Sequence, residues 1–240
     1  MIPGAIVDVA PDAEALARHV AEWLVERRIR REGLFALTLS GGSTPRHLYE
    51  LLATPAFRER IDWRSVHLFW GDERYVPHDH ADSNYRMARE ALIEHVPIPP
   101  DQVHPIPTAS SPEAAAASYA ETLQSFYGAR TLDLARPLFD VTLLGLGADG
   151  HTASLFPGDP ALEERDAWVV SVIGARPEPR ITLTFPTLAS SDSVVFLVSG
   201  AEKLPVIDRL RRGDTELPAA RVRAARELRW FLDRAAAGED

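Results

Sequence analysis

No cysteine occurs anywhere in the chain, which excludes disulfides, thiolate metal sites and cysteine nucleophiles together. No apolar run approaches the length needed to cross a bilayer. The N-terminal residues MIPGAIVDVAPDAEA lack both the basic stretch and the long apolar stretch of a secretory signal. A cytoplasmic location is therefore expected. Cations are in deficit: 26 Lys and Arg stand against 35 Asp and Glu, a formal net charge of -9. This balance argues against a nucleic-acid or anionic-membrane surface. It also sets a condition: an anionic substrate must be captured against the average field, by a few local cations and oriented backbone N–H groups. No repeat, low-complexity tract or composition shift marks a firm boundary. The proline-rich residues 97–112 are the best candidate for one, but a single domain over residues 1–240 is expected.

What is present is ordinary globular material. With 240 residues and 45% hydrophobic content there is ample chain to bury a core. Short apolar runs read as strands at residues 6–9, 34–39, 66–70, 140–144, 168–173, 180–184, 194–198 and 227–232. Between them, helical spacing predicts helices over 13–31, 45–52, 84–94, 112–127 and 201–212, with a short C-terminal helix after the last strand. Apolar strands alternating with helices indicate a mainly parallel sheet covered on both faces, an α/β fold. Four polar loops begin at the C-terminal ends of four such strands, after Leu39, Trp70, Leu144 and Val198. Ligands of open α/β sheets bind in the crevice outside those ends.

Each loop carries chemistry with a plainer alternative. Ser40-Gly41-Gly42-Ser43-Thr44-Pro45, between strand and helix, suits phosphate: free N–H groups at a helix start attract anions, and glycine permits close approach. The alternative is a tight turn in which Ser43 or Thr44 caps the helix. The loop lacks the Gly-Lys-Ser/Thr ending of a nucleoside-triphosphate loop, which favours a monophosphate. Gly145-x-Gly147-x-x-Gly150 matches a dinucleotide fingerprint in spacing, but its context fails. Pro157 forbids a long crossover helix, and no acidic residue ends the strand WVVSVI. The glycines instead shape a loop presenting Asp149 and His151. An imidazole held there can exchange a proton near neutral pH, although a lone histidine in a loop is often structural. Spacing alone does not decide whether Asp149 touches it.

Asp72-Glu73-Arg74 sets two carboxylates and a guanidinium at a strand end, where Arg suits carboxylate or phosphate. Read alone, it is a surface ion-pair cluster. His78-Asp79-His80-Ala81-Asp82 invites a metal reading, which is rejected because adjacent loop residues lack a ligand from a second element. Arg180 and Lys203 are the remaining cations near strand ends. Lys203 near a helix start sits at the unfavourable end of the dipole, a hint that it is placed for a ligand.

Four stretches, in order, carry a resemblance: LSGGSTPRHLYELL, FWGDERYVPHDHADSNYRMAR, LLGLGADGHTASLFPG, and RITLTFPTL followed by LVSGAEK. Together they closely resemble the 6-phosphogluconolactonases, over nearly the whole chain. More distantly they resemble the glucosamine-6-phosphate deaminases of the same superfamily. The resemblance implies a Rossmann-like three-layer α/β/α fold and hydrolysis of 6-phospho-D-glucono-1,5-lactone to 6-phosphogluconate in the oxidative pentose phosphate pathway, with no metal or organic cofactor. It places His151 on the family's catalytic histidine, and Asp72 and Arg74 on its active-site Asp-x-Arg pair. Gly41, Gly42, Ser43, Arg180 and Lys203 fall where substrate, chiefly its phosphate, is held, and Asn84 falls in a Ser-Asn element beside the site. The implied partner is a small phosphosugar lactone, with no nucleic acid and no membrane, and a monomer or small homo-oligomer. Two rivals remain. A deaminase is disfavoured because Thr-Ala-Ser-Leu-Phe-Pro follows His151 where deaminases carry Ile-Ala-Phe-Asn-Glu. A non-catalytic sugar-phosphate sensor is disfavoured because one α/β pattern leaves no room for a basic helix-turn-helix.

Overall fold

The computed structural model describes residues 2–133 and 135–239. Its strands are β1 (Ile6–Ala10), β2 (Phe35–Leu39), β3 (Val66–Trp70), β4 (Asp72–Arg74), β5 (Phe139–Leu144), β6 (Val169–Val172), β7 (Arg180–Leu183), β8 (Ser191–Val198) and β9 (Glu227–Asp233). Its helices are α1 (Ala13–Arg30), α2 (Ser43–Leu52), α3 (Pro55–Arg58), α4 (Asn84–Ala91), α5 (Pro112–Tyr127), α6 (Phe185–Ala189), α7 (Leu204–Arg211), α8 (Pro218–Arg221) and α9 (Arg234–Ala237). Short 3₁₀ turns fill several connections, including Ile93–His95 and Ala201–Lys203.

Six strands form one sheet in the order β1-β9-β8-β5-β2-β3, every pairing parallel. All five residues of β2 are buried, and β8 is buried at all but one position. Strands covered on both faces must read this way, as apolar runs rather than alternations. Flanking helices cover this parallel sheet, as the strand–helix alternation indicates, and complete the Rossmann-like α/β/α architecture that the resemblance implies. Local signals set their ends. Asp12, Ser83 and Ser111 accept hydrogen bonds from the first-turn amides of α1, α4 and α5, and Gly128 closes α5 in a left-handed conformation at φ 75°.

The chain departs from the sequence expectation in a few places. Asp72–Arg74, expected within a polar loop, forms β4, and with β7 and β6 it builds a second, antiparallel sheet. Three charged residues carry no strand signature of their own; the ladder to β7 supplies it. Helix α2 begins at Ser43 rather than at Pro45. The helix from Asn84 stops at Ala91, and the helix expected from residue 201 opens as a 3₁₀ turn. Helix α8 was not foreseen.

One packing detail has a pH consequence. His67 on β3 and His104 stack with ring centres 5.3 Å apart, and Nδ1 of His67 lies 3.0 Å from Nε2 of His104. Phe69 stacks on His104 at 4.6 Å. Burial, then the neighbouring imidazole, hold His104 down to about 4, and burial lowers His67 as well. Between the ordinary histidine range and about 4, the unfolded chain takes up protons here that the folded chain refuses. This pair therefore withdraws stability as pH falls through that window, and withdraws none above it. His104→Phe keeps an aromatic ring in the stack and removes the His104 titration. Urea midpoints at pH 7 and pH 5 should drop less on acidification for this variant than for wild type. Equal drops would exclude His104 as a source of acid lability.

Candidate active site

β8, β5, β2 and β3 are neighbours in the large sheet, so the four strand-end loops open side by side. The chain runs from β2 outward to β3, then returns to place β5 on the other side of β2. That reversal is the kind of switch point at which a crevice forms between diverging loops. A cleft of about 350 Å³ lies here, within the range of small-molecule sites. Gly41, Gly42, Asp72, Arg74, Asn84, His151, Arg180 and Lys203 line it. Ser43 does not; it is exposed at the first residue of α2, beside Gly42.

The loop after β2 ends in Gly42 at φ 106°, and α2 starts without a side-chain cap or an acidic residue in its first turn. The alternative in which Ser43 or Thr44 caps the helix thus does not hold. Where α1, α4 and α5 spend a side chain on their first amides, α2 spends none, and Gly41 and Gly42 immediately before it line the cleft. Gly41 has a different reason to be glycine: a Cβ there would overlap the Asn84 amide. Asn84 opens α4 and donates through Nδ2 to the Asp72 carbonyl at 3.0 Å.

Asp72 and Glu73 point to different tasks. Asp72 is 8% exposed; burial raises its carboxyl, opposed by a 2.6 Å hydrogen bond from the Ser154 hydroxyl and by Arg180. Glu73 is 1% exposed and accepts from the amides of Arg74, Asn84 and Tyr85 and from the Ser83 hydroxyl. Burial pushes it up to about 7 despite those donors, with the Asp72 charge adding to the rise. Glu73 is a strut tying β4 to the start of α4, a role its position in Asp-Glu-Arg did not reveal.

The cations are gathered against their mutual repulsion. Arg74 and Arg180 are directly opposite in the β4–β7 ladder, a like-charge pairing that destabilises a sheet. Burial, then Arg74, lower the Arg180 guanidinium. Its Nε is buried and has no hydrogen-bond partner among the described residues, while Glu178 lies 3.5 Å from its other end. Arg74 is held by Asp82 at 2.9 Å. Lys203 ends the 3₁₀ turn before α7 and pairs with no carboxylate among the described residues. With Arg176, four cations face the cleft against one carboxylate, Asp72. In a chain of net charge -9, this is the local capture that an anionic ligand requires.

The loop after β5 presents the histidine. Gly147 donates to the His151 carbonyl at 2.9 Å, and Thr152 donates to the Gly145 carbonyl at 2.9 Å. Gly147 also admits the imidazole, since a Cβ there would overlap the ring. Ala153 takes φ 46°, a left-handed conformation costing about 1 kcal/mol for a residue other than glycine. His151 Nδ1 lies 2.5 Å from Asp149 Oδ1, the contact that spacing left open. Burial would raise Asp149, but the His151 and Arg176 hydrogen bonds outweigh it and hold the carboxyl at about 2. An ionised Asp149 accepts a hydrogen bond from Nδ1–H of His151, the tautomer that leaves Nε2 as the acceptor. Phe156 packs beside the imidazole at 4.8 Å. Ser154 and Thr152, which follow His151 closely enough in sequence to be local partners for its ring, instead donate to Asp72 and to the Gly145 carbonyl. Phe156 and Arg176 escaped sequence reading, the first within the quoted motif and the second with no signal at all. Of the His78–Asp82 segment, His78 is engaged by the Ile106 carbonyl at 2.8 Å and lies against Tyr85.

Gly41→Ala should push Asn84 off the Asp72 carbonyl and cost about 1–3 kcal/mol. Adding Asn84→Ala to it should restore part of that loss, so that the two changes are non-additive in denaturant melts.

Comparison with known proteins agrees with this geometry. Residues 11–230 match the model of a family described as glucosamine-6-phosphate isomerases/6-phosphogluconolactonase. A 6-phosphogluconolactonase of Nostoc sp. is 40% identical over 97% of both chains. One of Synechocystis sp. is 43% identical over 88% of this chain and 87% of its own. The crystal structure of a 6-phosphogluconolactonase from Thermotoga maritima superposes with a TM-score of 0.83 at 32% identity, covering 95% of this chain and 99% of that one. A monomeric glucosamine-6-phosphate deaminase at 20% identity shares the fold, with a TM-score of 0.82. An uncapped helix, a crowd of cations and an Asp–His pair at one switch point thus stand in a chain that belongs to the glucosamine-6-phosphate isomerase/6-phosphogluconolactonase family.

Proposed function

We propose that this chain hydrolyses 6-phospho-D-glucono-1,5-lactone to 6-phosphogluconate, with His151 as general base. The observation that carries the reading is His151 itself, with Nδ1 committed to Asp149, in a cleft bordered by an uncapped helix start and lined by four cations, of which Lys203 has no carboxylate partner among the described residues. The relatives named 6-phosphogluconolactonase support the same activity. It belongs to the oxidative pentose phosphate pathway.

A phosphosugar lactone has two ends, and the cleft has two kinds of residue. In this proposal the dianionic phosphate is met by Arg180, Lys203 and the free amides at Gly42 and the start of α2. Anchoring that end fixes the lactone carbonyl relative to His151, an orientational gain. Neutral His151 takes a proton through Nε2 as water attacks C1. Charge on the former carbonyl oxygen is met by loop amides or by Arg74, which then exchanges Asp82 for the oxyanion. The intermediate collapses with cleavage of the bond between C1 and the ring oxygen, which receives the proton from the imidazolium. Asp72 is close enough to Arg180 to share its field and accepts the Ser154 hydroxyl, so it orders the cationic wall. Asn84 holds the backbone of that wall through the Asp72 carbonyl. No step calls for a metal or an organic cofactor.

His151→Ala should cut kcat by about 10²–10⁴-fold, the usual size of a lost general base. Turnover near wild type, corrected for spontaneous lactone opening, would remove His151 from this role. Arg180→Ala and Lys203→Ala should mainly raise KM, and an unchanged KM in both would dismiss them as phosphate anchors. Assaying the wild-type protein for lactone hydrolysis and for ammonia release from glucosamine 6-phosphate separates the lactonase from the deaminase reading.

A further inference from the structure

Residues 173–179 connect β6 to β7 and carry Arg176 to the edge of the cleft, where it meets a residue far away in sequence. Its guanidinium donates to Asp149 Oδ2 at 2.8 Å and lies over the Phe156 ring, 4.5 Å from the ring centre. Asp149 Oδ1 holds His151 Nδ1, and the His151 ring lies against the same Phe156. The four side chains close a cycle: Arg176, Asp149, His151, Phe156.

We propose that Arg176 is a positioning residue for His151, fixing the Asp149 carboxylate that orients the imidazole and offsetting that carboxylate's charge. The assignment rests on His151 being the base. Two physical arguments carry it. The terminal torsion of Asp is broad, so one hydrogen bond to His151 does not set the carboxylate plane. A second anchor on the other oxygen does. An unopposed carboxylate also favours the imidazolium, which cannot accept a proton from water. A cation on its far oxygen shifts that balance toward the neutral ring. The other charged groups facing the imidazole are Asp72 and Arg74 on β4, Arg180 on β7 and Lys203 before α7. All four remain in an Arg176 variant, so a change in His151 is attributable to Arg176.

The test uses Arg176→Gln and Arg176→Lys, with NMR of the imidazole ring in the substrate-free protein, assigned by loss of its signals in His151→Ala. In Arg176→Gln the His151 signals should move with pH about half a unit higher than in wild type, the scale of one partly exposed ion pair. The acid limb of kcat/KM should move the same way, and kcat should fall about 3- to 10-fold with KM unchanged. Arg176→Lys should keep the wild-type pH behaviour. The proposal is overturned by an unmoved NMR titration in Arg176→Gln, by a raised KM with kcat intact, or by a loss of activity that both variants share in step with a loss of melting temperature. A shifted titration in a protein that hydrolyses no lactone would sustain Arg176 and sink the lactonase reading.

Discussion

The order in which β8, β5, β2 and β3 lie side by side is the constraint on which everything else rests. Parallel pairing makes all four strands deliver their loops to the same edge, and the reversal between β2 and β5 parts two of those loops to leave a crevice. Burial of these strands on both faces gives that edge a rigid base. Residues separated by more than a hundred positions, Gly41 and His151 among them, become neighbours with no local affinity for one another. A site assembled this way inherits its precision from the sheet rather than from its loops.

The second sheet adds what the first cannot. β4 and β7 are short, and their ladder sets Arg74 opposite Arg180, a pairing that on stability grounds alone is unfavourable. Buried Asp72, a partnerless Arg180 Nε and a left-handed Ala153 add further local costs around the same cleft. Such costs cluster where a structure is organised for a ligand. Glu73, with four donors converging on one carboxylate, keeps this strained wall attached to α4. The histidine is supported differently, through a carboxylate whose second oxygen is itself held.

Much of this was legible in the sequence. Apolar runs without alternation placed the buried parallel strands, because a strand covered on both faces has no polar side to show. The approximate spans of α1, α4 and α5 were readable from helical spacing, and their ends rest on local hydrogen bonds or backbone freedom at Asp12, Ser83, Ser111 and Gly128. The loops carrying Gly41, Asp72, His151 and Lys203 stood out because their chemistry sits at strand ends. Three facts were left to the tertiary structure: that Asp72–Arg74 is a strand, that the start of α2 is uncapped, and that Arg176 holds Asp149. The first and last depend on a partner distant along the chain, and the second on the backbone that Gly42 adopts at φ 106°. A ladder and a long-range ion pair are decided by what the fold brings near, and residue order carries no local trace of that approach.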